Sequence, residues 1–98
     1  MSRLVGDARA EALASLGEWS EVPGRDAMEL HFVFRDFVMA FGFIAQVAIL
    51  AERANHHPEW SNVYNQVAIT WTTHDVRGLS TNDTDLALLC ERFAQEAA

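Results

Sequence analysis

Cysteine is almost absent. Cys90 stands alone, so no internal disulfide can staple this chain, and the opening residues MSRLVGDARAEA lack the uninterrupted apolar core of a signal peptide. Both features place the expectation in the reducing cytoplasm. Basic side chains are also few: seven Lys and Arg stand against fourteen Asp and Glu, a formal net charge of -7. No basic cluster interrupts that acidity, so a phosphate backbone or an anionic membrane surface is a poorly matched partner, and nucleic-acid binding is not expected. The longest strongly apolar stretch, 37–51, lies between Asp36 and Glu52 and falls short of the about 20 residues that span a bilayer. No membrane segment is expected. No glycine loop is built to cradle phosphate, and no serine sits in a Gly-rich elbow. Cys90, beside Leu89 in an apolar helix, reads as a small buried hydrophobe rather than a nucleophile.

What is present suits one domain. Half of the 98 residues are hydrophobic, enough for one modest core over residues 1–98 and too little for two. Asp7 is placed to cap a first helix over 8–16, with Gly17 as its stop. Pro23-Gly24, a pair suited to the centre of a type II turn, separates a strand at 19–22 from the alternating Met28, Leu30, Phe32 and Phe34. Asp36 then caps a helix that Pro58 forbids beyond Asn55. That helix is apolar on two faces, one carrying Phe37, Phe41, Ile44, Ala48 and Ala51 and the other Phe43, Val47 and Leu50. One sheet needs only one of them, so the surplus face, taken as Phe43/Val47/Leu50, predicts a homodimer or homotetramer through the second helix and a sheet edge. A period of two over 62–73 predicts a long third strand with Val63, Val67, Ile69 and Trp71 inward. Arg77-Gly78-Leu79 leaves room for a short fourth. Ser80 and Asp83, at capping-box spacing, open a last helix striped by Leu86, Leu89, Phe93 and Ala97. The expected fold is α+β: α-β-β-α-β-β-α, with a four-stranded antiparallel sheet and its helices on one face.

The chemistry-bearing residues are the histidines. His31 lies mid-strand on the polar side and reads as solvated. His56 and His57 follow a helix C-terminus, whose free carbonyls stabilise imidazolium, and His74 leaves the long strand in the segment TTHD. Read singly, each is more often a cap or surface residue than a catalyst; together they can meet at one rim. Zinc is another reading, with Glu52, Asp75 or Asp83 supplying oxygen. However, adjacent histidines lack the i, i+4 spacing of a helical zinc pair and have no cysteine partner. Proton transfer by imidazole, with an ordinary pKa near 6.5, is the chemistry left.

Glu52-x-x-x-His56-His57-Pro58, with Tyr64, His74 and Asp83 following, closely resembles the signature of the pterin-4a-carbinolamine dehydratases. The likeness extends through GRDA, FGFIAQVAILAE, HHPEWSNVYN and THDVRGLS, and covers nearly everything from Trp19 onward. The resemblance implies dehydration of 4a-hydroxytetrahydropterins to quinonoid dihydropterins in tetrahydropterin recycling, with neither metal nor cofactor. It implies His56 and His74 as the acid-base pair and His57 as the group that holds the hydroxyl. Glu52 either orients that region or bonds the pterin's amino-pyrimidine edge, unless it is a solvated carboxylate beside Arg53. Thr73 and Asp75 flank His74 as candidate substrate contacts, Pro58 fixes the backbone that aims the histidines, and Trp19 and Trp60 are either pterin walls or core. Asp83 either touches substrate or caps the last helix. Animal members of this family also bind a transcription factor through the second helix, so a protein-binding module is the alternative function.

Overall fold

The computed structural model describes residues 2–97, with side chains to residue 96. Ala97, the last position of the stripe expected on the final helix, therefore lies outside the described side chains. The elements follow the expected order: α1 (Gly6–Ala14), β1 (Ser20–Glu21), β2 (Met28–Val33), α2 (Phe37–Ala54), β3 (Glu59–Val63), β4 (Gln66–Trp71), a 3₁₀ turn (His74–Val76) and α3 (Thr81–Ala97). The four strands form one antiparallel sheet in the order β1-β2-β4-β3. The hairpin between β1 and β2 turns at Pro23-Gly24 as expected, with Gly24 at φ 76 and Arg25 N–H donating to the Val22 carbonyl.

The expected long strand over 62–73 is instead a hairpin. Tyr64 takes φ 52 and Val63 pairs with Gln66, so β3 and β4 join through a two-residue turn at Tyr64-Asn65. Both arms alternate, and alternation alone does not reveal that the chain has reversed. The reversal moves Val63 to the outer face beside Gln66 and turns Trp60 and Asn62 inward, opposite Ile69 and Val67. The predicted strand at 77–79 shrinks to a single bridge between Thr73 and Gly78. Helix α1 begins one residue before Asp7, with Val5 at its cap and no side-chain cap bond; Asp7 instead sits in the first turn, where a carboxylate favours the helix dipole.

Helix α2 is bounded at both ends as its sequence dictates. The Asp36 carboxylate accepts the Met39 N–H at 2.9 Å. At the other end Asn55 takes the left-handed conformation, its N–H bonds the Glu52 carbonyl, and the His56 N–H bonds the Ala51 carbonyl at 2.9 Å. These are the two bonds of a Schellman stop, and they fix the backbone of His56 directly to the helix end. The face buried on the sheet is Ala40, Phe43, Val47 and Ala51, with Phe43 packed 4.8 and 4.9 Å from Phe32 and Phe34. This overturns the assignment of Phe43/Val47/Leu50 to a partner: Phe43 and Val47 are 1% exposed. The small Ala40 and Ala51 let this side approach the sheet, and the surplus face is Phe37, Val38, Phe41 and Ile49. By length and composition α2 could also cross a bilayer, being longer than the apolar run itself, but its inner face packs on its own sheet.

A carboxylate-backed histidine cleft

Three elements meet at the end of β4: the stop of α2, the 3₁₀ turn and the start of α3. Asp83, in the first turn of α3 and wholly buried, joins them. One of its oxygens accepts the Ser80 N–H at 2.9 Å and the Thr73 hydroxyl at 2.7 Å; the other faces His56 Nε2 at 2.5 Å. The Ser80 contact is the return half of a capping box, made by Asp in place of the longer Glu. Thr73 has one proton and gives it to Asp83, so the 2.7 Å contact between Thr73 and Ser80 takes its proton from Ser80.

His56 is 8% exposed, and its ring stacks on Trp71 with centroids 5.7 Å apart and planes 13° from parallel. A carboxylate that already accepts two donors can only accept from the imidazole, so Nε2 carries the proton and Nδ1 is the nitrogen left for the cleft. His57, by contrast, is an exposed side chain whose Nε2 lies 2.8 Å from Glu52 Oε1. A contact so open contributes little stability, but it sets the ring's direction. His74 heads the 3₁₀ turn, also exposed.

The three rings border one cleft of about 260 Å³, together with Asn55, Pro58 and Glu59 and the loop residues from Thr72 to Asp75. A neighbouring hollow, sharing His57 and Pro58, is walled by Glu52, Ala48, Ala51 and a 40%-exposed Trp60. Thus His56, His57, His74, Pro58, Asp75, Glu52 and Trp60 are gathered around one region. Thr73 borders it too, but its hydroxyl is committed to Asp83. Asp83 itself lies behind His56 rather than along the cleft wall, and it accepts the Ser80 N–H at the start of the last helix. Trp19 is elsewhere: 7% exposed, it packs edge-on to Phe32 in the core. Burial pushes the Cys90 thiol up to about 12, leaving it an inert core group. Among the described residues, no three His, Cys, Asp or Glu side chains converge as a metal site requires.

Sequence reasoning missed Arg25, Glu59 and Asn55. Arg25 grips Glu59 with two bonds of 2.8 and 2.7 Å, spanning the end of β4 from the β1–β2 turn to the first residue of β3. Hydrogen bonding from Arg25 holds the Glu59 carboxyl below its ordinary range; burial opposes this, and His74 adds a smaller pull. Both residues stand inside GRDA and HHPEWSNVYN, segments already singled out, yet a pairing across 34 positions needs the strand order to be seen.

The fold and cleft define a class: a small α+β domain presenting imidazoles, one of them backed by a buried carboxylate, at the end of an antiparallel sheet. The family model described as Pterin 4 alpha carbinolamine dehydratase matches residues 2–93. A protein of Jannaschia sp. (strain CCS1), provisionally named pterin-4-alpha-carbinolamine dehydratase, is 56% identical over 90 residues, 90% of this chain and 92% of its own. One of the same name from Rhodopseudomonas palustris (strain HaA2) is 53% identical over 94 residues, covering 96% and 93%. The crystal structure of a transcriptional coactivator/pterin dehydratase from Brucella melitensis superposes with a TM-score of 0.90 at 43% identity, covering 94% of this chain and 98% of that one. A pterin dehydratase-like protein described as a RuBisCO assembly factor in the alpha-carboxysome shares the fold, with a TM-score of 0.69 at 20% identity over 79% of this chain and 89% of that one. The chain belongs to the pterin-4a-carbinolamine dehydratase family.

Proposed function

We propose that this protein dehydrates 4a-hydroxytetrahydropterin to the quinonoid dihydropterin, as a step of tetrahydropterin recycling in the cytoplasm. The observation that carries this reading is the meeting of His56, His57 and His74 on one cleft, with Asp83 fixing the proton of His56. In the reaction the C4a–O bond breaks and the hydroxyl leaves as water, so it must gain a proton. The N5–H proton must depart as the N5=C4a bond forms, so water and quinonoid product are the only products. Two imidazoles, one protonated and one neutral, supply both transfers near neutral pH. His56, held with Nδ1 free, and His74, across the cleft, are that pair; His57 steadies the hydroxyl. Glu52 offers its second oxygen to the amino group and N3–H of the pyrimidine edge, with Trp60 as an apolar wall beside it. The test is catalysed product formation: ultraviolet absorbance should show quinonoid product appearing faster than in buffer alone, and an unchanged rate would remove the dehydratase reading.

A second reading is an interaction module, and the exposed Phe37, Val38, Phe41 and Ile49 of α2 favour it. The same face suits self-association, because an apolar stripe of this kind on a closed symmetric homo-oligomer is covered by a second copy. Light scattering should therefore give the mass of a dimer or tetramer for the wild-type chain. Phe41→Glu together with Ile49→Glu should lower that mass without loss of helix signal, whereas a wild-type monomer at micromolar concentration would refute the assembly.

A further inference from the structure

Three hollows lie in a row along the end of the sheet. The Glu52/Trp60 hollow shares His57 and Pro58 with the histidine cleft, and the cleft shares Thr72, Thr73 and His74 with a third lobe of about 320 Å³ bordered by Arg25, Asp26 and Arg77. A pterin has a matching order along its long axis. The amino-pyrimidine edge, rich in donors, is at one end, C4a lies at the ring fusion, and the C6 substituent leaves from the other end. With C4a between the histidines and the donor edge toward the carboxylate of Glu52, the C6 substituent points into the third lobe.

The charges of that lobe are unevenly spent. Asp26 is gripped by Arg3 at 2.8 Å and by Arg9 at 3.0 Å, and Glu59 by Arg25. Burial alone would push the Asp26 carboxyl up, but the two guanidinium groups outweigh it and hold the carboxyl below its ordinary range, so its charge is already matched. Among the described residues, Arg77 has no carboxylate partner. It caps the 3₁₀ turn at φ 55, a left-handed position where glycine would be the less strained choice, and its N–H bonds the His74 carbonyl at 3.1 Å. In a chain of net charge -7, an unmatched guanidinium thus stands one lobe away from the reacting carbon.

We propose that the Arg77 lobe is a specificity subsite for an anionic C6 substituent, a terminal phosphate in the first place, on the pterin that the histidine cleft turns over. The inference rests on the dehydratase reading given above. A guanidinium can bind two phosphate oxygens at once, which a neutral polyol side chain cannot match, and the preference should weaken as salt screens it.

The test compares two 4a-hydroxytetrahydropterins that differ only in a phosphate ester at the end of the C6 side chain. Wild-type kcat/KM should favour the phosphate ester by about tenfold at low ionic strength, the factor expected of one charge-assisted contact. Arg77→Gly, which suits the left-handed backbone and should melt no lower than wild type, should bring the ratio to about one, chiefly through KM; Arg77→Lys should restore part of it. A wild-type ratio near one, or an equal loss on both substrates in Arg77→Gly, would overturn the subsite. Quenching of tryptophan fluorescence by the corresponding oxidised pterins reads the same ratio from binding. If neither carbinolamine is turned over, a phosphate preference in binding that Arg77→Gly abolishes still upholds the subsite while the dehydratase reading falls; no preference in binding overturns it.

Discussion

His74→Ala should lower turnover by roughly 10²–10⁴-fold with a melting temperature close to wild type, because the ring is exposed at the head of a turn and its proposed task is proton transfer. For His56 the alanine variant is a poor probe. The side chain is buried, stacked on Trp71 and bonded to Asp83, so truncation opens a gap and strips a partner from a buried carboxylate. His56→Gln keeps an N–H near the position of Nε2 but has no second ring nitrogen for the cleft. It should retain most of the stability and lose activity on the same scale as His74→Ala. If the two residues act as one acid-base unit, the double variant falls little below either single one, toward the uncatalysed dehydration. Single-turnover assays beside thermal melts decide it; wild-type rates in both single variants would leave the cleft without its proposed chemistry.

Asp83→Ala should produce the largest loss of stability. It leaves the Ser80 N–H, the Thr73 hydroxyl and His56 Nε2 without their acceptor in a site closed to water. Each buried donor left without its acceptor costs about 1–3 kcal/mol, so the combined loss is several kcal/mol. In a domain of this size that lowers the melting temperature by on the order of 15 °C or more. Asp83→Asn separates the two duties of the residue. The amide still fills the space and accepts through its oxygen, so the stability loss should be smaller. However, it no longer guarantees that His56 carries its proton on Nε2, and turnover should fall by about 10²-fold or more. Melting of Asp83→Ala within a degree of wild type would show that the carboxylate does not join the three elements. Normal activity in Asp83→Asn would show that it does not govern the histidine.

The elements whose signals are local were legible in the sequence. Asp36, Pro23-Gly24 and the Asn55–Pro58 stop each act on their own neighbours, and each lies where its chemistry requires. Longer-range features were not legible. Two-residue periodicity runs on through Tyr64-Asn65, so a reversal of the chain looks like a continuation of it. A helix apolar on both sides gives no sign of which side meets the sheet; Phe43 and Val47 went inward because Ala40 and Ala51 flank them at helical spacing, and Phe41 and Ile49 were left outside. The site divided in the same way. Spacing placed the three histidines at element ends, where the structure brings them to one cleft. That Asp83 turns inward to His56, and that Arg25 reaches Glu59 across the end of β4, depends on tertiary contacts across 27 and 34 positions.

The central claim is that this cleft accelerates the loss of water from the carbinolamine with the chain's own imidazoles. The measurement that addresses it most directly is single-turnover dehydration of 4a-hydroxytetrahydropterin by wild-type protein dialysed against a chelator, followed by ultraviolet absorbance. The predicted result is a rate well above that of buffer and unchanged when zinc is added. A rate equal to buffer that zinc restores would contradict it, as would a rate equal to buffer under every condition.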